Sequence, residues 1–95
     1  MYAKPVKLEW DNKKRDRTER GLDFADVASV EWELAFTRED DRADYSEVRF
    51  VTIAPIGGRL CVFVWCERGD ALRVISLRKA NDREKSKYEK ALHRP

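Results

Sequence analysis

Three segments rich in β-branched and aromatic residues, separated by two glycine-containing turns, constrain the fold of this chain more than any other feature. They cover residues 48–56, 59–67 and 72–79. Gly57-Gly58 joins the first two segments and favours a two-residue hairpin turn, because glycine readily adopts a positive φ. Arg68-Gly69-Asp70 supplies a second turn before the last segment. The sequence therefore predicts an antiparallel β-meander.

Two-residue turns would also determine which residues share a face of this sheet. They pair Val51 with Val64 and Val62 with Leu77, and side chains then alternate between two faces. We expect helices to cover the aliphatic face, which carries Val51, Ile53, Val62, Val64, Ile75 and Leu77. The other face is mixed and carries Phe50, Thr52, Phe63, Trp65, Val74, Ser76 and Arg78. The frequent burial of aromatic residues favours core packing for the mixed face, and stacking on RNA bases or a peptide is the alternative.

The N-terminal part of the chain is predicted to add one strand and two helices. Residues 7–10 alternate in polarity and indicate a strand. Asp11 and Gly21 suit the N-cap and the C-terminal stop of a helix over residues 12–20, but this segment has no apolar residue and is alternatively an exposed turn. Asp23, with Asp26 three residues later, is typical of the N-cap of a second helix that runs to about residue 30.

The remaining elements are a strand, a charged loop and a C-terminal helix. Residues 34–37 indicate the strand, and residues 38–47 form the loop. Asn81 followed by Glu84 is typical of a capping box that begins a helix. The thin apolar stripe of this helix is Tyr88, Ala91 and Leu92. Together these predictions describe an α+β fold, a small antiparallel sheet packed with N-terminal helices and a C-terminal helix.

Length and composition limit the classes of protein that this chain can represent. Its 95 residues, 42% hydrophobic and 40% charged, predict a single folded domain over residues 1–95. We see neither an apolar run of membrane-spanning length nor a signal peptide, so we expect a cytoplasmic protein with no membrane partner. The net charge of +2 is unevenly distributed, with basic residues at 13–20 and acidic residues at 39–44. Such a bipolar surface fits a nucleic acid on one side and another partner on the other, or is simply a solvated surface.

Familiar catalytic motifs are missing from the sequence. Cys61 and Cys66 lie too far apart on one strand to form a disulfide, and no histidine lies near them to complete a metal site. His93 is expected to be an exposed residue near the C-terminus. We therefore expect no metal and no cofactor, and any phosphate chemistry would depend on Arg, Lys, Glu, Asp or Tyr.

A set of short motifs, in order along residues 8–90, resembles the BrnT toxin family. The motifs are EWD at 9–11, GLDFA at 21–25, EVRFVT at 47–52, GRL at 58–60, ERGD at 67–70 and RVISLRKA at 73–80, followed by Arg83-Glu84 and Tyr88. The resemblance implies a RelE-like fold and a growth-inhibiting toxin that cleaves RNA. It also implies a BrnA-like ribbon-helix-helix antitoxin as partner, through which the complex binds operator DNA. One departure is Glu19-Arg20-Gly21, where the family usually has Lys-His-Gly, so a weakened toxin is an open alternative.

The resemblance also implies a reaction, in which a 2′-hydroxyl attacks the neighbouring phosphate without a metal ion. Arg78 is the first choice to stabilise the phosphate, and Arg49 and Arg73, which the predicted register places together beside Cys66, are the second. Glu67 or Tyr45 would transfer protons. The predicted RNA contacts are Lys79, Arg20, Lys14, Tyr45 and Trp65. Surface salt bridges to the acidic loop are the alternative role for the arginines. The alternative function is a non-catalytic interaction module that binds a partner through the aromatic sheet face or the acidic loop, or a co-repressor that acts through antitoxin binding.

Overall fold

A mixed β-sheet forms the centre of the protein in the computed structural model, which describes residues 7–11, 21–42 and 46–93. Within these ranges the strands are β1 (Lys7–Trp10), β2 (Phe36–Glu39), β3 (Phe50–Ile56), β4 (Arg59–Arg68) and β5 (Ala71–Lys79). They are arranged in the order β1-β5-β4-β3-β2. Two short 3₁₀ segments, Phe24–Ser29 and Trp32–Leu34, precede β2, and helix α1 (Asp82–Leu92) follows β5. The fold is therefore α+β.

The predicted meander is confirmed in strands β3, β4 and β5. In the first hairpin Val51 lies opposite Val64, as expected from the Gly57-Gly58 turn. Both turn glycines have positive φ, 59° and 77°. The predicted register of the second hairpin holds only as far as Trp65, which lies opposite Val74.

A β-bulge shifts the rest of the second hairpin by one residue. Val64 lies opposite Ser76, and Val62 lies opposite Arg78. The predicted pairing of Val62 with Leu77 is therefore wrong, because the extra residue in β5 exchanges the faces of all the residues after it. Leu77 points into the core, where it is completely buried, and Arg78 lies on the opposite face.

The core lies on the aromatic face of the sheet. Phe63 and Trp65 are both 0% exposed, and Phe24 and Val27 of the first 3₁₀ segment belong to the same hydrophobic cluster. The core packing that the sequence favoured for the mixed face is thus confirmed, with the N-terminal segments over it. The expectation that helices cover the aliphatic face holds only for α1, which lies over one end of that face. The aromatic side chains offer the larger apolar area, so their burial stabilises the fold more.

Of the two helices predicted in the N-terminal region, the structure describes only the second, which has the expected cap but is a different type of helix. Asp23 and Asp26 form the expected capping box, yet the segment that it begins is a 3₁₀ helix of six residues. The predicted helix over residues 12–20 lies outside the described residues. Strand β1 pairs with β5 in parallel, which makes the sheet mixed rather than purely antiparallel. No helix among the described residues is long and apolar enough to span a membrane.

Helix α1 lies against the outer strand β2 at one end of the sheet. Asn81 and Glu84 form the predicted capping box. Of the predicted apolar stripe only Tyr88 is buried, and its hydroxyl donates a hydrogen bond of 2.7 Å to the Leu34 carbonyl. The Tyr88 ring also meets Phe36 edge to face. The sheet face that bears α1, opposite the core, is called the open face and carries Phe36, Arg38, Val51, Ile53, Val62, Val64 and Arg78.

Candidate active site: an arginine cleft

A small concavity of about 110 Å³ lies at the end of the sheet away from α1. It is lined by charged residues from four separate parts of the chain and is called the arginine cleft. These residues are Asp11, Glu47, Arg49, Arg68 and Arg73, with Val74 and Ile75 beside them. Three guanidinium groups therefore surround one opening that is large enough to admit a phosphate oxygen.

The strand register explains why Arg49 and Arg73 lie near each other. Arg73 lies directly opposite Cys66 on β4. Arg49 comes one residue before Phe50, the first paired residue of β3, and so reaches Cys66 from the other side. The predicted proximity of the two arginines is confirmed, because this part of the register precedes the bulge.

Carboxylates form ion pairs with Arg73 and Arg68. Arg73 Nη1 lies 3.0 Å from Glu9 Oε1, since the parallel register of β1 places Glu9 opposite Arg73. Arg68 Nε lies 3.4 Å from Glu47 Oε2. The hydrogen bond from Arg68 is the main cause that lowers the pKa of Glu47 below its ordinary value, and burial opposes it. Glu47 is therefore ionised at neutral pH.

Cys66 lies beneath these charged groups and is not itself reactive. Its side chain is almost completely buried, and burial is the main cause that raises the pKa of its thiol, followed by the charge of Glu47. The thiol is therefore protonated at neutral pH. Cys61 and Cys66 are both buried thiols, as the sequence predicted.

Arg78 does not join the arginine cleft. It lies five positions beyond Arg73 along β5, about 16 Å away at the usual rise of a strand. Its guanidinium makes two hydrogen bonds of 2.7 Å to the carboxylate of Glu84 at the start of α1. The hydrogen bonds from Arg78 are the main cause that lowers the pKa of Glu84 to about 2. The structure therefore gives Arg78 a partner that ties the end of β5 to the helix.

The other predicted site residues are dispersed. Trp65 is completely buried and donates a hydrogen bond of 2.8 Å from Nε1 to Thr52 Oγ1, so it cannot stack on an RNA base, and its predicted role is corrected. Glu67 and Lys79 are exposed and do not line the cleft. Lys14, Arg20 and Tyr45 lie outside the described residues.

Sequence reasoning missed four charged residues at the cleft, although one signal pointed to them. Glu9, Asp11, Glu47 and Arg68 all lie in the motifs EWD, EVRFVT and ERGD, which carry the family resemblance. Arg49 and Arg73 belong to the same set of motifs. A motif set whose charged residues meet in one concavity has the distribution expected of a functional site rather than of scattered surface charge.

The comparison with known families agrees with the resemblance. Residues 10–84 match the family described as "Ribonuclease toxin, BrnT, of type II toxin-antitoxin system". The chain belongs to the BrnT family. Membership indicates a ribonuclease toxin of a type II toxin–antitoxin system and implies an antitoxin as partner. A comparison with curated proteins found no match.

The match to the BrnT family includes all the charged residues that line the arginine cleft. Among the residues that the structure describes, no three His, Cys, Asp or Glu side chains are grouped so that they could hold a metal ion. The chemistry available in the cleft is that of guanidinium groups and carboxylates.

Proposed function

We propose that this BrnT-family chain is an endoribonuclease whose catalytic centre is the arginine cleft. The observation that carries the proposal is the convergence of Arg49, Arg68 and Arg73 on one open concavity that also contains carboxylates. A guanidinium can bind two phosphate oxygens at once, which makes arginine well suited to hold an RNA phosphodiester. This assignment moves the catalytic role from Arg78, the first choice from the sequence, to the arginines at the other end of the sheet.

The reaction in this proposal is an internal transfer within the RNA. The 2′-oxygen attacks the adjacent phosphorus, and the bond from phosphorus to the 5′-oxygen breaks. The products are a 2′,3′-cyclic phosphate and a free 5′-hydroxyl. Negative charge develops on the phosphorane oxygens, and preorganised cations stabilise it more than they stabilise the bound substrate.

In this proposal Glu47, one of the two carboxylates that line the cleft, accepts the proton of the 2′-hydroxyl. Its lowered pKa keeps it ionised, so the acidic limb of the pH–rate profile would lie below the ordinary carboxylate value of 4.5. The leaving 5′-oxygen takes its proton from water in the open cleft. Glu67, which the sequence suggested for proton transfer together with Tyr45, lies outside the cleft, and in this proposal Glu47 takes that role.

The proposed reaction needs no metal ion, because three guanidinium groups supply the positive charge. We further propose that the fold is RelE-like and that RNA cleavage inhibits translation and growth. A BrnA-like ribbon-helix-helix antitoxin would neutralise the toxin and connect the complex to operator DNA. Contacts from Lys14, Arg20, Tyr45 and Lys79 to the rest of the RNA remain predictions.

Cleavage of a fluorescent RNA by the purified protein in the presence of EDTA tests this proposal. The wild type is expected to cleave and leave 2′,3′-cyclic phosphate ends. Arg73→Ala and Arg49→Ala are each expected to slow cleavage by roughly 100-fold, the usual effect of losing one preorganised group. The matched control is Arg59→Ala, since Arg59 is exposed at the β3–β4 turn. Cleavage abolished by EDTA, or equal rates in all variants, would refute the mechanism.

A non-catalytic binding module is the second candidate, and the ion pairs in the cleft favour it. Glu9 and Glu47 hold Arg73 and Arg68, which would weaken their attraction for a phosphate. In the described part of the acidic loop Asp40 is buried and accepts a hydrogen bond from Arg42, whereas Glu39 and Asp41 are exposed. Tight antitoxin binding without any RNA cleavage would support this second candidate.

A further inference from the structure

A larger groove of about 340 Å³ lies at the opposite end of the open face, between α1 and strands β2, β3 and β4. Its apolar lining comes from both sides and consists of Phe36, Val51, Ile53, Val62, Tyr88 and Ala91. Phe36 is 40% exposed, which is unusual for a large aromatic side chain. The groove thus offers a concave apolar surface of the kind that receives side chains of a partner protein.

The charges at the rim of this groove are mainly positive. Arg38 and Lys87 both line it. No ion pair between described residues includes Arg38. The pKa of Glu84 is lowered mainly by its hydrogen bonds from Arg78, and the charge of Lys87 adds to this effect. The one acidic side chain in the lining, Glu84, is already bound by Arg78. An occupant with carboxylates beside apolar side chains would complement this surface, whereas a basic segment would be repelled.

The groove and the arginine cleft are parts of one continuous face. Val51 lines the groove, and Arg49, two residues earlier and immediately before β3, lines the cleft. Two residues along a strand correspond to about 7 Å, so a bound segment of a few residues reaches from one to the other. A carboxylate at the end of such a segment would compete with an RNA phosphate for Arg49 and Arg73.

We propose that the groove is the docking site of the antitoxin of this type II system. The antitoxin inserts a segment with apolar side chains into the groove, places carboxylates against Arg38 and Lys87, and extends a further carboxylate into the arginine cleft. Membership of the BrnT family implies that the toxin has an antitoxin. The charge and shape of the groove indicate the chemistry of the antitoxin segment that would bind there. Only the inhibition step rests on the proposed function, because the docking itself does not require RNA cleavage.

Calorimetric titration of the toxin with the purified antitoxin of its own system tests the docking site. The double variant Arg38→Glu/Lys87→Glu reverses both rim charges and is expected to raise the Kd by on the order of tenfold or more. The matched control is Arg59→Glu/Lys85→Glu, which reverses two exposed charges outside the groove. In a second arm Ala91→Trp fills the groove and is expected to weaken binding, whereas Ser86→Trp on the exposed side of α1 is not. Circular dichroism verifies that each variant is folded.

The possible outcomes are distinct. An unchanged Kd in Arg38→Glu/Lys87→Glu, or an equal loss in the control pair, overturns the proposal. So does a variant that keeps its antitoxin affinity but loses self-association or RNA affinity, since the occupant would then be a second copy or RNA. If the groove variants weaken antitoxin binding while the wild type cleaves no RNA, the docking site stands and the ribonuclease proposal fails. If the wild type cleaves RNA and the groove variants bind the antitoxin as tightly as the wild type does, the ribonuclease proposal stands and the docking site fails.

Discussion

Breaking the ion pair between Arg78 and Glu84 shows whether Arg78 has a structural role or a catalytic one. Two substitutions break it from opposite sides, Arg78→Ala and Glu84→Gln. Glutamine retains a side-chain oxygen that can accept the hydrogen bond from the Asn81 backbone, so the capping box of α1 is preserved. If Arg78 only ties β5 to α1, both substitutions are expected to produce similar losses of stability and little change in RNA cleavage.

The size of this effect follows from the pKa of Glu84. A pKa of about 2, against an ordinary value of 4.5, would correspond to roughly 3 kcal/mol of stabilisation for a fully shielded pair. The side chains of Arg78 and Glu84 are 48% and 25% exposed, so water screens their interaction. We therefore expect each substitution to lower the free energy of unfolding by about 1 kcal/mol at neutral pH.

Urea unfolding at a series of pH values measures this contribution. Because the pKa of Glu84 is lowered in the folded protein, its contribution is complete above pH 4.5 and disappears as the pH falls towards 2. The stability difference between the wild type and Glu84→Gln should shrink over that interval. A difference that does not depend on pH would refute the ion-pair explanation. If Arg78→Ala slows RNA cleavage by about 100-fold and Glu84→Gln does not, Arg78 contacts the phosphate and our assignment is wrong.

Three further predictions concern the core, a turn and the thiols. Thr52→Val removes the hydroxyl that accepts the Trp65 hydrogen bond and leaves a buried N–H unpaired, so urea unfolding should show a loss of about 2 kcal/mol, while Thr52→Ser should be milder. Gly58 has a φ of 77°, so Gly58→Ala should lower stability by about 1 kcal/mol in thermal unfolding, and an unchanged midpoint would contradict this. Cys61 and Cys66 should react slowly with a thiol reagent at pH 8 until denaturant is added, because both are buried and the pKa of Cys66 is raised. Rapid labelling of the native protein would disprove that expectation.

The sequence alone was sufficient for the elements whose signals are local. The hairpin at Gly57-Gly58 depends on two adjacent residues, and the capping boxes that start at Asp23 and Asn81 each depend on residues three positions apart. The energies that favour these structures act within one turn of the chain, so adjacent residues are enough to predict them. The family resemblance was likewise contained in the order of short motifs.

Only the tertiary structure decided which residues of β5 share the core face and where the arginines lie. One extra residue in β5 moved Arg78 to the open face, and nothing in the local sequence marks the position of that bulge. The parallel pairing of β1 with β5 brought Glu9 to Arg73, 64 residues away. Such contacts depend on the packing of the whole chain, because the apolar area buried by the aromatic face outweighs local preferences. The arginine cleft is therefore a product of tertiary folding, although all the charged residues that line it lie in motifs that carry the family resemblance.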